Sequence, residues 1–329
     1  MTHLARRLAL SLGLVASSTL SSGAVADQIN GASPTGSYTT VFAPLIKKVL
    51  DENFFYFDIA PSAGSVEAFE RVLDNPGQIS IGQLDVVAIL AQENPDQVTI
   101  VRRLANECLY AVAQSDAIGN WRELERVARR ARIVTAAEKS GSNFTLKTIM
   151  TLNPEGRMAQ AVDRVVNLDD AATAFERVAA GEADVAFAVA YPDPESRLFE
   201  IARENDLNFV PVGTPAMRRV QVDGQSVYTP SQITIEEGGL FSEAKTVTTS
   251  CTSAVIFTGS LSRFEEGSEA YLDQQDKIGI LREAPDEAFV PDDDRWTRIF
   301  SSARNLASDA ADSFWGLVDS VGGDGEAKE

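Results

Sequence analysis

Histidine is almost missing from this sequence: its one copy, His3, lies at the extreme N-terminus. Imidazole is the commonest general base and the commonest metal ligand, so hydrolytic and zinc chemistry lose their usual residue. Basic residues are also scarce, 29 against 48 acidic ones, giving a formal net charge of −19. Such a surface disfavours nucleic acid and anionic membranes. A buried site answers to local dipoles rather than net charge, so an anionic ligand stays open. A membrane span needs ~20 consecutive apolar residues; the stretch from Leu8 to Leu20 is shorter, and nothing later is long enough either. Cysteine occurs twice, as Cys108 and Cys251, each inside a strand-like run. Two readings stand open for them, a single disulfide in an oxidising compartment or two buried thiols. No internal repeat, low-complexity tract or cofactor motif is present.

What is there begins with a leader. Arg6 and Arg7 precede the apolar stretch, and Ala24-Val25-Ala26 precedes Asp27. That is the layout of a cleavable secretory signal cut after Ala26, and it predicts a periplasmic mature chain that does not insert into the membrane. No cysteine near the cut offers a lipid attachment site. The residues flanking the arginine pair fit a twin-arginine signal poorly, which favours the ordinary export route. Loss of the leader removes both arginines and makes the mature chain more acidic still.

From residue 27 onward β-rich runs alternate with amphipathic helical patterns, the signature of an α/β fold with largely parallel sheets. A helical stripe covers Val41–Leu50, with Pro44 as a kink or as a residue near its start. A strand over Phe54–Ile59, a helix over Ser65–Asp74 and strands at Ile79–Ile81 and Leu104–Val112 complete a first block. A second block has strands at Arg132–Ala137, Val165–Leu168, Asp184–Val189 and Phe209–Val212, with helices over Asn143–Leu152 and Ala171–Ala180. The Thr- and Val-rich run Lys245–Thr258 reads as a return to the first block. The division is therefore 1–26 leader, 27–113 first lobe, 114–242 second lobe and 243–329 return. The last part carries apolar residues at three- and four-residue steps from Trp296 to Val321, a long amphipathic helix expected to pack on its own lobe rather than on a partner. Gly322–Glu329 reads as disordered.

Three loop-to-helix turns carry the candidate chemistry. Gly31 to Tyr38 imitates a phosphate loop, but no lysine follows Gly36, which argues against a nucleotide. What remains is a glycine loop presenting backbone N–H groups, Ser37 and Tyr38, suited to a carboxylate at a helix N-terminus. Ala63-Gly64-Ser65 repeats the arrangement, although Ser65 on its own reads better as a helix cap than as a ligand. Lys139-Ser140-Gly141-Ser142-Asn143 is the third instance; Lys139 adds a counter-charge or is simply a solvated surface lysine. Two such turns from one lobe and one from the other would converge at the carboxyl ends of the strands, where open α/β sheets bind ligands.

In order and spacing these residues resemble the TAXI family of solute receptors, the extracytoplasmic subunits of one branch of the TRAP transporters. The similarity runs from Asn30 to about Thr258. It rests on Gly36-Ser37-Tyr38, on Gly64-Ser65-Val66-Glu67, on Ile81-Gly82-Gln83-Leu84-Asp85, on Ser140-Gly141-Ser142, and on Gly181-Glu182-Ala183-Asp184 with Tyr191-Pro192. The resemblance implies a type II periplasmic-binding-protein fold, two Rossmann-like lobes joined by crossing hinge strands. It implies no cofactor and no catalysis, a small carboxylate-bearing ligand such as a glutamate- or glutamine-like amino acid or a dicarboxylate, and a membrane permease of fused small and large subunits. By position it places Ser37, Tyr38, Ser65, Gln83, Asp85, Ser140, Ser142, Asn143 and Tyr191 in the cleft, with Lys139 as an added positive charge on that wall. Asp85 would meet a ligand ammonium or, alternatively, cap its own helix. The family's first loop glycine is Lys139 here, and its C-terminal His-Pro-Gly-Ala ending is replaced by Phe289-Val290-Pro291-Asp292. A receptor for an ATP-driven importer or a sensor shares the fold, and an exported enzyme on this scaffold is the more distant alternative.

Overall fold

The computed structural model describes residues 27–305, apart from 115–117, 223, 237 and 239–242. The leader and the expected disordered tail lie outside these residues. The strands are β1 (Gln28–Asn30), β2 (Asp58–Ala60), β3 (Ile79–Gln83), β4 (Val98–Ala113), β5 (Ile133–Thr135), β6 (Val166–Asn167), β7 (Val185–Ala190), β8 (Asn208–Val210), β9 (Gln221–Val222), β10 (Gln225–Ser226), β11 (Thr229–Glu236), β12 (Lys245–Gly259) and β13 (Ala303–Asn305). The α-helices are α1 (Ala43–Asp51), α2 (Ser65–Asp74), α3 (Leu84–Glu93), α4 (Trp121–Val127), α5 (Gly141–Thr151), α6 (Ala171–Ala179), α7 (Arg197–Glu204), α8 (Glu269–Glu283) and α9 (Asp294–Ser302).

Local sequence explains the elements that frame the site. The run Val185–Ala190 is apolar throughout and almost fully buried, as expected of a central strand covered on both faces. Helix α2 buries Ala68, Phe69 and Val72, and α6 buries Ala174, Phe175 and Val178, each one stripe of a 3.6-residue period. Pro44 lies in the first turn of α1, where its missing N–H costs nothing, and the widened turn Tyr38–Phe42 leads into it.

The strand order repeats itself. In the first half it runs β2-β1-β3-β12-β4, with β1 parallel to β2 and β3 and with β12 antiparallel to both its neighbours. In the second half it runs β6-β5-β7-β4-β8, with β5 parallel to β6 and β7 and with β4 antiparallel to both its neighbours. Each half therefore has the order 2-1-3-n-4; the first half takes its reversed strand n from β12, which follows the second half, and the second half takes it from β4, which ends the first. That is the type II periplasmic-binding-protein arrangement, two Rossmann-like units joined by the long strands β4 and β12. The two strands part at Cys108 and Cys251, which face each other in register and are joined as a disulfide.

Apolar side chains fill both faces. One core takes residues from both halves, including Phe69, Leu84 and Phe257 with Leu146, Phe187 and Tyr228. Of two others, one contains Phe42, Ile46, Ile81 and Trp296, and the other contains Tyr110, Phe175 and Phe199 beside the disulfide.

Two expectations change. The strand read at Phe54–Ile59 starts only at Asp58, because Phe54 adopts a left-handed conformation (φ 67°) that turns the chain out of α1. Phe54 and Tyr56 consequently stand 82% and 70% exposed. The amphipathic helix expected from Trp296 to Val321 ends at Ser302, and Ala303–Asn305 extend to pair with Ser231–Ile233 of β11. An unpaired sheet edge captures backbone readily, which gives the chain a reason to leave the helix there. The remainder of that pattern lies outside the described residues.

Candidate functional site

A cavity of about 350 Å³ lies at the junction of the two halves. The first half contributes Ser33, Gly36, Ser37 and Tyr38 from the glycine loop, Gly64 and Ser65 from the start of α2, and Gln83 from the end of β3. The second half contributes Ser140, Gly141 and Ser142 from the start of α5, with Tyr191 just beyond β7. Thus all three loop-to-helix turns meet at one place, at the carboxyl ends of parallel strands.

The first turn of α5 is held firmly. Ser140 is its N-cap, accepting from the Asn143 N–H at 3.2 Å, and the Ser142 hydroxyl accepts from the Val189 N–H at 2.9 Å. Gly141 and Ser142, whose N–H groups at the first two helical positions have no acceptor within their own helix, line the cavity. A Cβ on Gly141 would come within 2.2 Å of the Gln83 amide, so Gln83 from the first half packs directly on this helix start. At α2 the cap is Gly64 rather than Ser65: Gly64 has φ 139° and ψ −164°, open only to glycine. Ser65 instead accepts from the Gln83 N–H at 3.1 Å, fixing the strand end beside the helix start.

Three residues read from the sequence stand elsewhere. Asp85 is fully buried away from the cavity and accepts from Thr145 at 2.5 Å and from Tyr228 at 2.9 Å. Burial raises its carboxyl above the ordinary range, against the lowering effect of those two bonds. Lys139 reaches Glu70 of α2 at 2.6 Å on an exposed surface, so its charge bridges the two halves outside the cavity. The Asn143 side chain donates to Asn167.

Other residues were not anticipated as site residues. Glu107, on β4, is buried in the cavity wall and accepts from the Tyr38 hydroxyl at 2.5 Å. Desolvation pushes its carboxyl up to about 8; the Tyr38 hydrogen bond opposes this and nearby Asp85 adds to it. Arg295 and Trp296, at the start of α9, close another side. The guanidinium binds Asp193 through Nε at 3.0 Å and Nη2 at 2.5 Å. Trp296 meets Phe42 of the first half at 5.2 Å and Tyr191 of the second at 5.1 Å, edge to face in both cases. Asp169 and Asp170 also line the wall, with Asp170 engaged as the N-cap of α6. A lone glutamate inside the apolar run Leu104–Val112 was the visible signal for Glu107; Trp296 opened an apolar pattern that read as ordinary packing, and nothing local marked Arg295 beside it.

The cavity can take a small polar solute: its lining brings together the first turns of α2 and α5, the rings of Tyr38, Tyr191 and Trp296, and the carboxyl groups of Glu107, Asp169, Asp170 and Asp193. Among the described residues no cluster of His, Cys, Asp and Glu suits a metal ion, and no helix is long and apolar enough to cross a membrane.

No protein-family model matches the sequence, and no curated protein matches it either. Solved structures with similar chains include the GluR0 ligand-binding core in complex with L-glutamate, 11% identical over 84% of this chain and 99% of that one, TM-score 0.47. MatC from Rhodopseudomonas palustris with bound malate is 13% identical over 90% and 96%, TM-score 0.46. A binding protein of an ABC phosphonate transporter from Pseudomonas aeruginosa is 11% identical over 90% and 95%, TM-score 0.43.

Proposed function

We propose that this chain is an exported, non-catalytic solute receptor of TAXI type, serving a TRAP permease of fused small and large subunits in the periplasm. It captures a small carboxylate-bearing solute by closure of two lobes. The observation that carries the reading is the junction cavity, into which the first turns of α2 and α5 open from opposite halves. A carboxylate placed there meets N–H groups and the positive ends of two helix dipoles. Arg295 is the cation on the wall, while Tyr38, Tyr191 and Trp296 flank the body of the solute. Closing the lobes over the solute would create the composite surface that the permease reads.

Isothermal calorimetry and thermal shift on the mature protein, with amino acids, 2-oxo acids and dicarboxylates, test this reading. Saturable binding of a solute recovered with unchanged mass is expected; its chemical turnover would replace the receptor by an enzyme. N-terminal sequencing of the periplasmic protein is expected to begin at Asp27. Uptake by a reconstituted neighbouring permease should require the receptor and an ion gradient, and a need for ATP would assign it to the other importer class.

A further inference from the structure

The charge of the cavity wall does not suit a simple anion. Glu107, Asp169, Asp170 and Asp193 line it, against the single guanidinium of Arg295, which already holds Asp193. Glu107 is buried and lies midway along the crossing strand β4. The groups acting on its carboxyl are Tyr38 and Asp85, with no cation among them. Tyr191 also lines the cavity, and its hydroxyl is buried without a hydrogen-bond partner among the described residues. Thr252, directly opposite Glu107 in the β4–β12 register, has a buried hydroxyl in the same condition. Three aromatic rings, Tyr38, Tyr191 and Trp296, line the same cavity. A carboxyl among aromatic rings and hydroxyls that lack partners is chemistry that recognises an ammonium group.

Resting on the receptor reading, we infer that Glu107 is the specificity-determining residue of the cavity: it binds the ammonium group of a zwitterionic solute as a carboxylate and gives up its proton as that solute enters. A plain dicarboxylate is thereby excluded. The exchange is balanced without any covalent step. The neutral Glu107 carboxyl loses one proton to solvent, and the ammonium keeps its own and supplies the compensating charge. The titratable groups within electrostatic reach of Glu107 are Tyr38 on the turn before α1, Tyr191 beyond β7, Tyr110 on β4 itself and Asp85 on α3. The Asp193–Arg295 pair, Asp169 and Asp170 share the cavity wall. Burial holds the three tyrosines far above their usual range, so they remain neutral while Glu107 titrates.

The test is calorimetry from pH 6 to 9, in buffers of differing ionisation heat. The probes are the protein amino acids, each beside its deaminated counterpart, such as L-glutamate beside glutarate. An amine-bearing member is expected to bind at least about tenfold more tightly than its counterpart, a differential of ~1.4 kcal/mol. Its affinity should rise by about tenfold per pH unit below the Glu107 value and level off above it, with close to one proton released at low pH. Glu107→Gln mimics the neutral carboxyl and should retain the fold, lose the pH slope and release no proton. A merely structural glutamate would change stability and leave the slope. Equal binding of the deaminated partner, or a slope that survives Glu107→Gln, overturns the inference and leaves the receptor standing. Failure of every member of both sets to bind overturns the receptor reading itself, and the inference with it.

Discussion

Gly64 lies so close to Ser140 that a Cβ built on it would stand 2.8 Å from the Ser140 Cα and 3.1 Å from the Lys139 carbonyl oxygen. The helix starts of the two halves are therefore in backbone contact at the cavity mouth. Gly64→Ala meets two penalties, a backbone conformation closed to L side chains and a clash with backbone that cannot swing away. A loss of about 1–3 kcal/mol is expected in urea denaturation. Solute affinity should fall as well, because the two loops would be held apart; an unchanged dissociation constant would show that they do not meet when the solute binds.

The buried pair Asp85–Tyr228 joins the start of α3 to the segment before β11. Tyr228→Phe should cost about 1–3 kcal/mol, since it strips a hydrogen bond from a buried carboxyl. The pH dependence has a definite sign. In the folded chain the Asp85 carboxyl lies above its ordinary value of 3.8, chiefly through burial. The stability tied to that shift is fully present below the unfolded value and is lost as pH rises through the folded one. Asp85→Asn removes the titration, so its stability relative to the parent should improve steadily as pH is raised. Parallel stability curves across that range would show that Asp85 is ionised throughout.

The Cys108–Cys251 bond closes a sequence separation of 143 residues. Thiol counting by mass spectrometry on the unreduced protein should find none free. Replacing both cysteines with alanine, or adding reductant, should lower unfolding stability by about 2–5 kcal/mol.

Phe54 holds a left-handed conformation with its ring in solvent. Phe54→Gly should stabilise the fold by about 1 kcal/mol, because glycine adopts that conformation freely and no packing is lost. A lower melting temperature in the variant would mean that the ring has a contact on the folded chain.

The alternation of apolar runs and helical stripes made the α/β class readable, and Lys245 was the right start for the long returning strand. Periodicity reports which residues are buried: β7 is a short apolar run and β12 a Thr- and Val-rich one, whereas the first part of β4, Val98–Arg103, carries Arg102 and Arg103 and did not read as strand. Phe54 to Phe57 deceived for the same reason: aromatics in a row resemble a strand, and only the backbone angle of Phe54 shows that they are a turn. At the site, Ser37, Tyr38, Ser65, Gln83, Ser140, Ser142 and Tyr191 do border one cavity. They sit at strand-to-helix junctions, whose position a sequence shows. Asp85 is two residues past Gln83, yet helical geometry turns it the other way, into a buried contact with Thr145. Glu107, Asp193 and Arg295 come from three distant segments, and their meeting depends on the crossing of β4 and on the path of α9, which no local pattern encodes.

The disulfide sits where the two crossing strands separate, one residue along β4 from Glu107. A covalent tie at that point forbids the strands to slide along each other. On the proposed lobe closure, hinging about that tie would leave the depth of Glu107 unchanged as the halves open. Reduction would release that constraint, so the redox state of the compartment would set how reproducibly the glutamate is presented to an incoming solute.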